Sequence, residues 1–272
     1  MRRMLSAVGL VTMLAACGSG GGGATGAAPA PATPVTPATP VTPATPVTPA
    51  TPVTPATSAA PSSSPPPTGP NVSGCFTEAD GKIFEYDGGL PGVITGTGST
   101  GVVITYERRG NVCTWRPLSD RLVAAGYRVL LYARSAVAAP EDTTVAMAKR
   151  LAKERGVGRV FLVGGSIGAT TAVPAALRLG PEKIAGVVAL SGEIAAEDAA
   201  KLTVPLLQIG SEHDDYGGRA ALDAARAAAT KAPDAQALVI PGERLHASQL
   251  LASPYADQVL STVETFMNRH KG

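Results

Sequence analysis

A serine between two glycines stands at the centre of the segment VGGSIGATT, residues 163–171. The pattern Gly164-x-Ser166-x-Gly168 is typical of a nucleophilic serine on a sharp turn between a strand and a helix. A serine hydroxyl is a poor nucleophile without a base, and the base needs a group that orients it. A histidine and a carboxylate elsewhere in the chain would therefore give this segment chemistry; without them it would be a structural Gly/Ser turn.

The candidate base is His246, in the segment PGERLHAS, and the candidate acids lie in LLQIGSEHDDY, where three carboxylates compete. We predict Asp214 rather than Glu212, because a short turn after the preceding glycine can bring its carboxylate toward the histidine. Asp215 is the alternative. His213 lies on the same loop as the acids, and we expect it to be a solvated histidine.

The elements that must position these residues follow from apolar runs and helical spacing. Eight strands are predicted, at 82–86, 92–96, 101–105, 127–133, 159–165, 186–192, 204–210 and 237–242. Amphipathic or small-residue segments between the later strands are predicted as helices, including 115–126, 143–156 and a terminal helix near 254–269. This alternation predicts an α/β fold, with a mostly parallel eight-stranded sheet, helices on both faces and an antiparallel start. Each of the three candidates comes just after a predicted strand, where catalytic groups of such sheets lie.

Five segments together resemble the α/β-hydrolase family: VVIT, W-x-P-L-x-x-x-L-x-x-x-G-Y-R-V-L, VGGSIGATTA, PLLQIGSEHDDY and PGERLHAS. The resemblance covers most of 82–270 and is nearest to small lidless members, the dienelactone-hydrolase-like and short esterase-like proteins. It implies a triad of Ser166, Asp214 and His246, in the chain order Ser, Asp, His that the family shows. Only eleven residues separate the predicted strands at 186–192 and 204–210, so we expect no cap domain and an open site.

The loop that would complete an oxyanion hole departs from the family pattern. The backbone N–H of Ile167 opens a predicted helix and faces the place where an oxyanion would form. Relatives carry His-Gly or His-Gln after the third strand, whereas this chain has Tyr106-Glu107-Arg108-Arg109-Gly110. We expect the backbone N–H of Arg108, or alternatively Glu107, to be the second donor. Arg108, Arg109 and Arg134 either attract an acidic substrate or form a solvated rim.

Two other departures concern the next strand and the nucleophile. The Asp-x-x-Gly that commonly follows the fourth strand is replaced by LLYARSAVAAP, and dienelactone hydrolases proper use cysteine where this chain has serine.

The amino terminus has the pattern of an exported lipoprotein. Arg2 and Arg3 precede a thirteen-residue uncharged, mostly apolar segment, which is too short to span a bilayer and is typical of a signal peptide. The following Leu-Ala-Ala-Cys17 resembles the bacterial lipobox, which implies cleavage after residue 16 and lipidation of Cys17. Residues 17–74 are Gly-rich and then contain four copies of PVTPAT, which predicts an extended, disordered linker before a domain at 75–272.

Composition narrows the possible partners. Loss of residues 1–16 would leave 21 basic and 21 acidic side chains, and no basic stripe with interleaved aromatics is present, so nucleic-acid binding is not expected. The three histidines are far apart and show no metal-ligand spacing, so we expect neither a metal nor a cofactor. With Cys17 assigned to lipid, Cys75 and Cys113 remain as a pair in an exported chain, and we predict a disulfide between them.

These observations predict a lipid-anchored serine hydrolase on the outside of a bacterial membrane, most simply a carboxylesterase for small or exposed esters. The alternatives are a non-catalytic surface-binding lipoprotein that keeps the hydrolase fold, and a peptidase or acyltransferase.

Overall fold

The computed structural model describes residues 71–272; the signal segment, Cys17 and the linker up to residue 70 lie outside the described residues. The strands are β1 (Asn71–Val72), β2 (Phe76–Thr77), β3 (Gly81–Tyr86), β4 (Leu90–Thr95), β5 (Thr100–Thr105), β6 (Arg128–Tyr132), β7 (Arg159–Gly165), β8 (Ile184–Leu190), β9 (Leu206–Ser211) and β10 (Ala235–Ile240). The α-helices are α1 (Arg116–Ala124), α2 (Pro140–Leu151), α3 (Ile167–Leu179), α4 (Ala196–Ala199), α5 (Arg219–Ala228) and α6 (Ala256–Arg269). Two 3₁₀ helices span Val112–Trp115 and Ala247–Ala252.

Eight of these strands form one sheet, in the order β10-β9-β8-β7-β5-β6-β4-β3. The pairs β3–β4 and β4–β6 are antiparallel, and every other neighbouring pair is parallel. The prediction of a mostly parallel sheet with an antiparallel start is confirmed. Because the parallel strands run in one direction, the loops after β5, β7, β9 and β10 share one edge of the sheet.

The core lies on the two faces of this sheet, because side chains of a strand point alternately to opposite faces. In β7, Phe161 and Val163 pack on the face covered by α1 and α6. Val160 and Leu162 pack on the other face, which α2 and α3 cover. Both sides are therefore buried, which explains why the central strands are continuous apolar runs rather than alternating ones.

The connection between β8 and β9 contains only the four-residue α4, so the predicted absence of a cap domain agrees with the described residues.

Helix α2 begins at Pro140, three residues earlier than the sequence predicts, and proline is favoured at the first helical position. Among residues 71–272, no helix has the length and apolar character needed to cross a membrane.

A short hairpin precedes the sheet. Strand β1 pairs antiparallel with β2. Strand β1 begins at Asn71, four residues before the domain start at residue 75 that the sequence predicts. Between these strands lies Cys75, and its Sγ atom is 2.15 Å from that of Cys113, which is the distance of a disulfide bond. This link joins the hairpin to the 3₁₀ helix that begins at Val112, just after the loop that follows β5.

Candidate active site

The three residues that the sequence singles out lie at the same edge of the sheet. Ser166 directly follows β7, Asp214 follows β9 and His246 follows β10. The strand β8 lies between β7 and β9, so the serine and the acid are held on separate strands of one rigid scaffold. The histidine reaches the acid from the sheet's outermost parallel strand.

Ser166 occupies a strained turn. Its φ of 54° and ψ of −119° lie in a region that non-glycine residues rarely adopt. The chain reverses so tightly that a Cβ at Gly164 would lie 2.2 Å from the carbonyl oxygen of Gly168. A Cβ at Gly168 would lie 1.9 Å from the carbonyl oxygen of Thr105 on β5. Any side chain at these two positions would clash with backbone atoms, so both must be glycine. The turn places Ser166 immediately before α3.

His246 and Asp214 form a hydrogen-bonded pair. The histidine Nδ1 lies 3.0 Å from Oδ1 and 2.9 Å from Oδ2 of the carboxylate. The aspartate side chain is only 2% exposed, whereas the histidine side chain is 27% exposed. Since Nδ1 faces the acid, Nε2 is the ring nitrogen available to a substrate or to the serine.

The environment drives the two pKa values apart. Burial by itself raises the pKa of Asp214, but hydrogen bonds from His246 and from the backbone N–H of Tyr216 outweigh it and lower the pKa. The same hydrogen bond raises the pKa of His246 against the opposing effect of burial, and the charges of Asp214 and Glu107 raise it further. The acid therefore stays ionised, and the histidine is a stronger base than a free imidazole.

The competing residues on the acid loop face elsewhere. The Asp215 side chain is 82% exposed and lies 3.7 Å from Arg244. Glu212 accepts hydrogen bonds from Arg219 and from the backbone of Gly242. His213 is exposed, as the sequence predicts for a solvated loop histidine.

The serine and the histidine are not joined in this structure. Within residues 71–272, the Ser166 hydroxyl makes no hydrogen bond shorter than 3.5 Å, and neither does Nε2 of His246. Such contacts are often long in free enzymes and tighten when substrate binds, so the arrangement remains compatible with catalysis.

No protein-family model matches the chain, and no curated protein matches it. Solved structures do match. The Pyrococcus furiosus esterase Pf2001 has a TM-score of 0.61 at 17% identity, covering 75% of this chain and 100% of that chain. A monoacylglycerol lipase of Paleococcus ferrophilus has a TM-score of 0.58 at 14% identity, covering 66% and 99%. Est1E from Butyrivibrio proteoclasticus has a TM-score of 0.57 at 13% identity, covering 70% and 98%. This chain has the α/β-hydrolase fold. At such identities the likeness establishes the fold and not the activity.

The candidate oxyanion donors lie at the start of α3 and in the loop after β5. Ile167 is the first residue of α3, so its backbone N–H has no acceptor within the helix. In the loop, the backbone N–H of Gly110 donates to the carbonyl of Glu107 across 3.3 Å, and Arg108 and Arg109 occupy the exposed centre of this turn. Arg108 therefore lies three residues after the end of β5, with its side chain in solvent.

Four functional-site neighbours were not assigned a role from the sequence: Glu107 as a side chain, Trp115, Ser248 and Tyr216. The fully buried Trp115 lies under the serine turn, where a Cβ at Gly165 would come within 2.3 Å of its ring. Tyr216 is 72% exposed and packs edge-on against the His246 ring, with ring centroids 5.5 Å apart. The signal that could have found the tryptophan is that it is the single tryptophan of the chain and follows Glu107 by eight residues.

The remaining charged groups form no evident metal site. Among residues 71–272, no cluster of three or more histidine, cysteine, aspartate or glutamate side chains could hold a metal ion.

Arg134 follows β6, and its backbone N–H donates to the hydroxyl of Tyr106 across 2.8 Å. Its guanidinium Nη1 is buried and has no partner among the described residues, whereas Arg108 and Arg109 are exposed.

Proposed function

We propose that this chain is a lipid-anchored serine hydrolase that cleaves carboxylic esters. The observation that carries the proposal is the buried Asp214 carboxylate holding Nδ1 of His246 at 2.9–3.0 Å, at the same sheet edge as Ser166 on its strained turn. A general base with an orienting acid is what a serine hydroxyl needs to become a nucleophile.

The proposed reaction has two halves. Ser166 Oγ attacks the ester carbonyl carbon while its proton passes to Nε2 of His246, and the carbonyl oxygen becomes an oxyanion. Collapse of this intermediate breaks the ester C–O bond, and His246 returns the proton to the departing alcohol. Water then attacks the acyl-serine, giving its proton to the same nitrogen, and the carboxylic acid leaves with Ser166 restored.

Electrostatics favour each half of this reaction. Asp214 holds the tautomer that leaves Nε2 unprotonated, and its negative charge stabilises the imidazolium that forms. The free backbone N–H of Ile167 and that of Arg108 or Glu107 would bind the oxyanion, each donor being worth about 10²–10³ in rate. Apart from water, the scheme uses only side chains and backbone of this chain and calls for no cofactor or metal.

An open site favours small or surface-exposed esters. The short connection between β8 and β9 provides no lid over Ser166, so a long acyl chain would find little to bury it. Two of the similar structures are named as an esterase and a monoacylglycerol lipase, which both act on carboxylic esters. Their shared reaction class supports the same class here.

The proposed location is the outside of a bacterial membrane. The Leu-Ala-Ala-Cys17 sequence after an apolar segment supports lipidation, and the PVTPAT repeats would hold the domain at a distance from the lipid surface. A disulfide between Cys75 and Cys113 accords with an oxidising compartment.

The test is covalent labelling of the purified protein with a fluorophosphonate, followed by mass mapping of the modified residue and by hydrolysis of p-nitrophenyl acetate. We expect modification at Ser166, and loss of most turnover in Ser166→Ala and in His246→Ala. Ser248→Ala tests whether a neighbouring serine hydroxyl contributes to the labelling. Absence of both labelling and turnover in the wild type would refute the proposal.

A second candidate is a non-catalytic binding lipoprotein. It is favoured by the absence of a hydrogen bond between Ser166 and His246 and by the two arginines in the oxyanion loop. This candidate predicts a folded wild-type protein that neither reacts with the fluorophosphonate nor hydrolyses any activated ester above the uncatalysed rate.

A further inference from the structure

Glu107 differs from the arginines that follow it, because its carboxylate points inward and is bound on both oxygens. Oε2 accepts a hydrogen bond from the indole N–H of Trp115 across 2.8 Å. Oε1 accepts a hydrogen bond from the hydroxyl of Ser248, two residues after His246. One carboxylate therefore links the loop after β5 to the loop after β10.

The turn that carries Glu107 leaves room for this carboxylate. Gly110 closes the turn, and a Cβ there would lie 2.5 Å from Oε1 of Glu107. Gly110 does not have a positive φ, so a side chain at this position would displace the Glu107 carboxylate rather than strain the backbone.

Trp115 extends the link to the nucleophile. Its ring is fully buried and lies against Gly165, the residue before Ser166. The turn with the serine, the loop with the candidate oxyanion donors and the loop with the histidine are thus all in contact with one Trp–Glu pair. A displacement of about 1 Å among such groups can lower a rate about 10²-fold, so a fixed link at this point has catalytic consequences.

The charges that face His246 come from two elements. Asp214 on the loop after β9 is hydrogen-bonded to the ring, and Glu107 on the loop after β5 acts through its charge; both favour the protonated imidazole. Tyr216 contacts the same ring edge-on. Since the imidazole becomes positive as serine attacks, a second carboxylate stabilises the same species that Asp214 does.

We propose that Glu107 is a positioning residue of this site: its carboxylate fixes the candidate oxyanion loop against the loop of His246, and its charge stabilises the imidazolium. The effect on rate rests on the hydrolase function proposed above. The effect on the titration of His246 does not, because it is a property of the folded protein.

Two substitutions separate the link from the charge. In Glu107→Gln the amide oxygen can accept from Trp115 and the amide N–H₂ can donate to the hydroxyl of Ser248, so the link persists without the charge. Glu107→Ala removes both. Ser248→Ala weakens the link and keeps the charge. Glu243→Gln is the matched control, since Glu243 is three residues from His246 and binds Tyr255 instead.

The first measurement is the NMR titration of the His246 ring, identified by its absence from His246→Gln. The titration midpoint is expected to fall in Glu107→Gln and in Glu107→Ala, and to stay at the wild-type value in Ser248→Ala and Glu243→Gln. The acid limb of kcat/KM should move in the same direction in the two Glu107 variants.

The second measurement is kcat on the plateau above that limb. We expect Glu107→Ala to lose about 10²-fold, as for loss of one oxyanion donor, and Glu107→Gln to lose much less. Ser248→Ala gives the same test should Glu107→Ala not fold, and a loss of at least 3-fold is expected there. A wild-type titration midpoint in Glu107→Gln, or a wild-type kcat in both Glu107→Ala and Ser248→Ala, would overturn the proposal. An inactive wild type whose His246 midpoint still falls in Glu107→Gln would refute the hydrolase and leave the charge effect established.

Discussion

Replacement of Asp214 by asparagine is expected to be among the most damaging single-atom changes in this protein. The reason lies in the groups that hold the carboxylate. The backbone N–H of Tyr216 donates to Oδ1 across 3.0 Å, and it needs an acceptor at that position. In Asp214→Asn the amide oxygen therefore takes the Oδ1 position, and the N–H₂ group takes the Oδ2 position, 2.9 Å from Nδ1 of His246.

A donor facing Nδ1 reverses the tautomer of the ring. Nδ1 must then accept the hydrogen bond, so the proton moves to Nε2, the nitrogen that should take the proton of Ser166. In Ser-His-Asp triads this exchange lowers kcat by about 10⁴, which corresponds to about 5 kcal/mol in the activation free energy. The side chain is 2% exposed, so water offers no alternative partner that would let the amide turn around.

The assay is kcat for p-nitrophenyl acetate across pH, with Asp215→Asn as the matched control. Asp215 is 82% exposed and its only described ion-pair partner is Arg244, so its variant is expected within about twofold of the wild type. A loss smaller than tenfold in Asp214→Asn would refute the tautomer argument. A severe loss in Asp215→Asn with a mild one in Asp214→Asn would assign the acid to the other residue.

Three further outcomes are expected. Because hydrogen bonding to the acid raises the pKa of His246 and only the neutral ring accepts a proton, kcat/KM should fall as the pH drops through a midpoint above about 6.5; a lower midpoint would contradict this base. Mass spectrometry of the non-reduced protein should find Cys75 and Cys113 bonded, and reduction should lower the free energy of unfolding by about 2–4 kcal/mol; two free thiols would exclude the bond. After export, the wild type should sediment with membranes and Cys17→Ser should not; a freely soluble wild type would rule out the anchor.

The sheet could be predicted from the sequence largely because its central strands are buried on both faces. A strand such as β5 has no polar residue to interrupt the run GVVIT, and each of the eight runs appears in the structure within two residues of its predicted start. The order of the strands could not be read from these runs, because β5 lies between β7 and β6 and pairs with strands distant along the chain. The hairpin of β1 and β2 was not predicted, because strands of two residues carry no period.

The choice between Asp214 and Asp215 illustrates where spacing stops being informative. The two residues are adjacent on a loop, and in the structure one is buried against His246 while the other is in solvent. A loop has no fixed side-chain period, so neighbouring residues can face in opposite directions for reasons that only tertiary contacts decide. The preference for Asp214 rested on turn length alone.

The structure gives a physical reason for the unusual residues in the loop after β5. Its three consecutive charges look unfavourable for an oxyanion site, yet the two arginines face solvent and Glu107 alone turns inward. Its partners Trp115 and Ser248 are 8 and 141 residues away, and the longer separation is invisible to local pattern analysis. The eight-residue separation between Glu107 and Trp115 can be recognised in the sequence. A buried indole N–H needs an acceptor, and this chain has a single tryptophan, eight residues after a glutamate that follows a buried strand. A Cβ on Gly110, three residues later, would displace this carboxylate, so the inward position of Glu107 and the absence of a side chain at Gly110 go together.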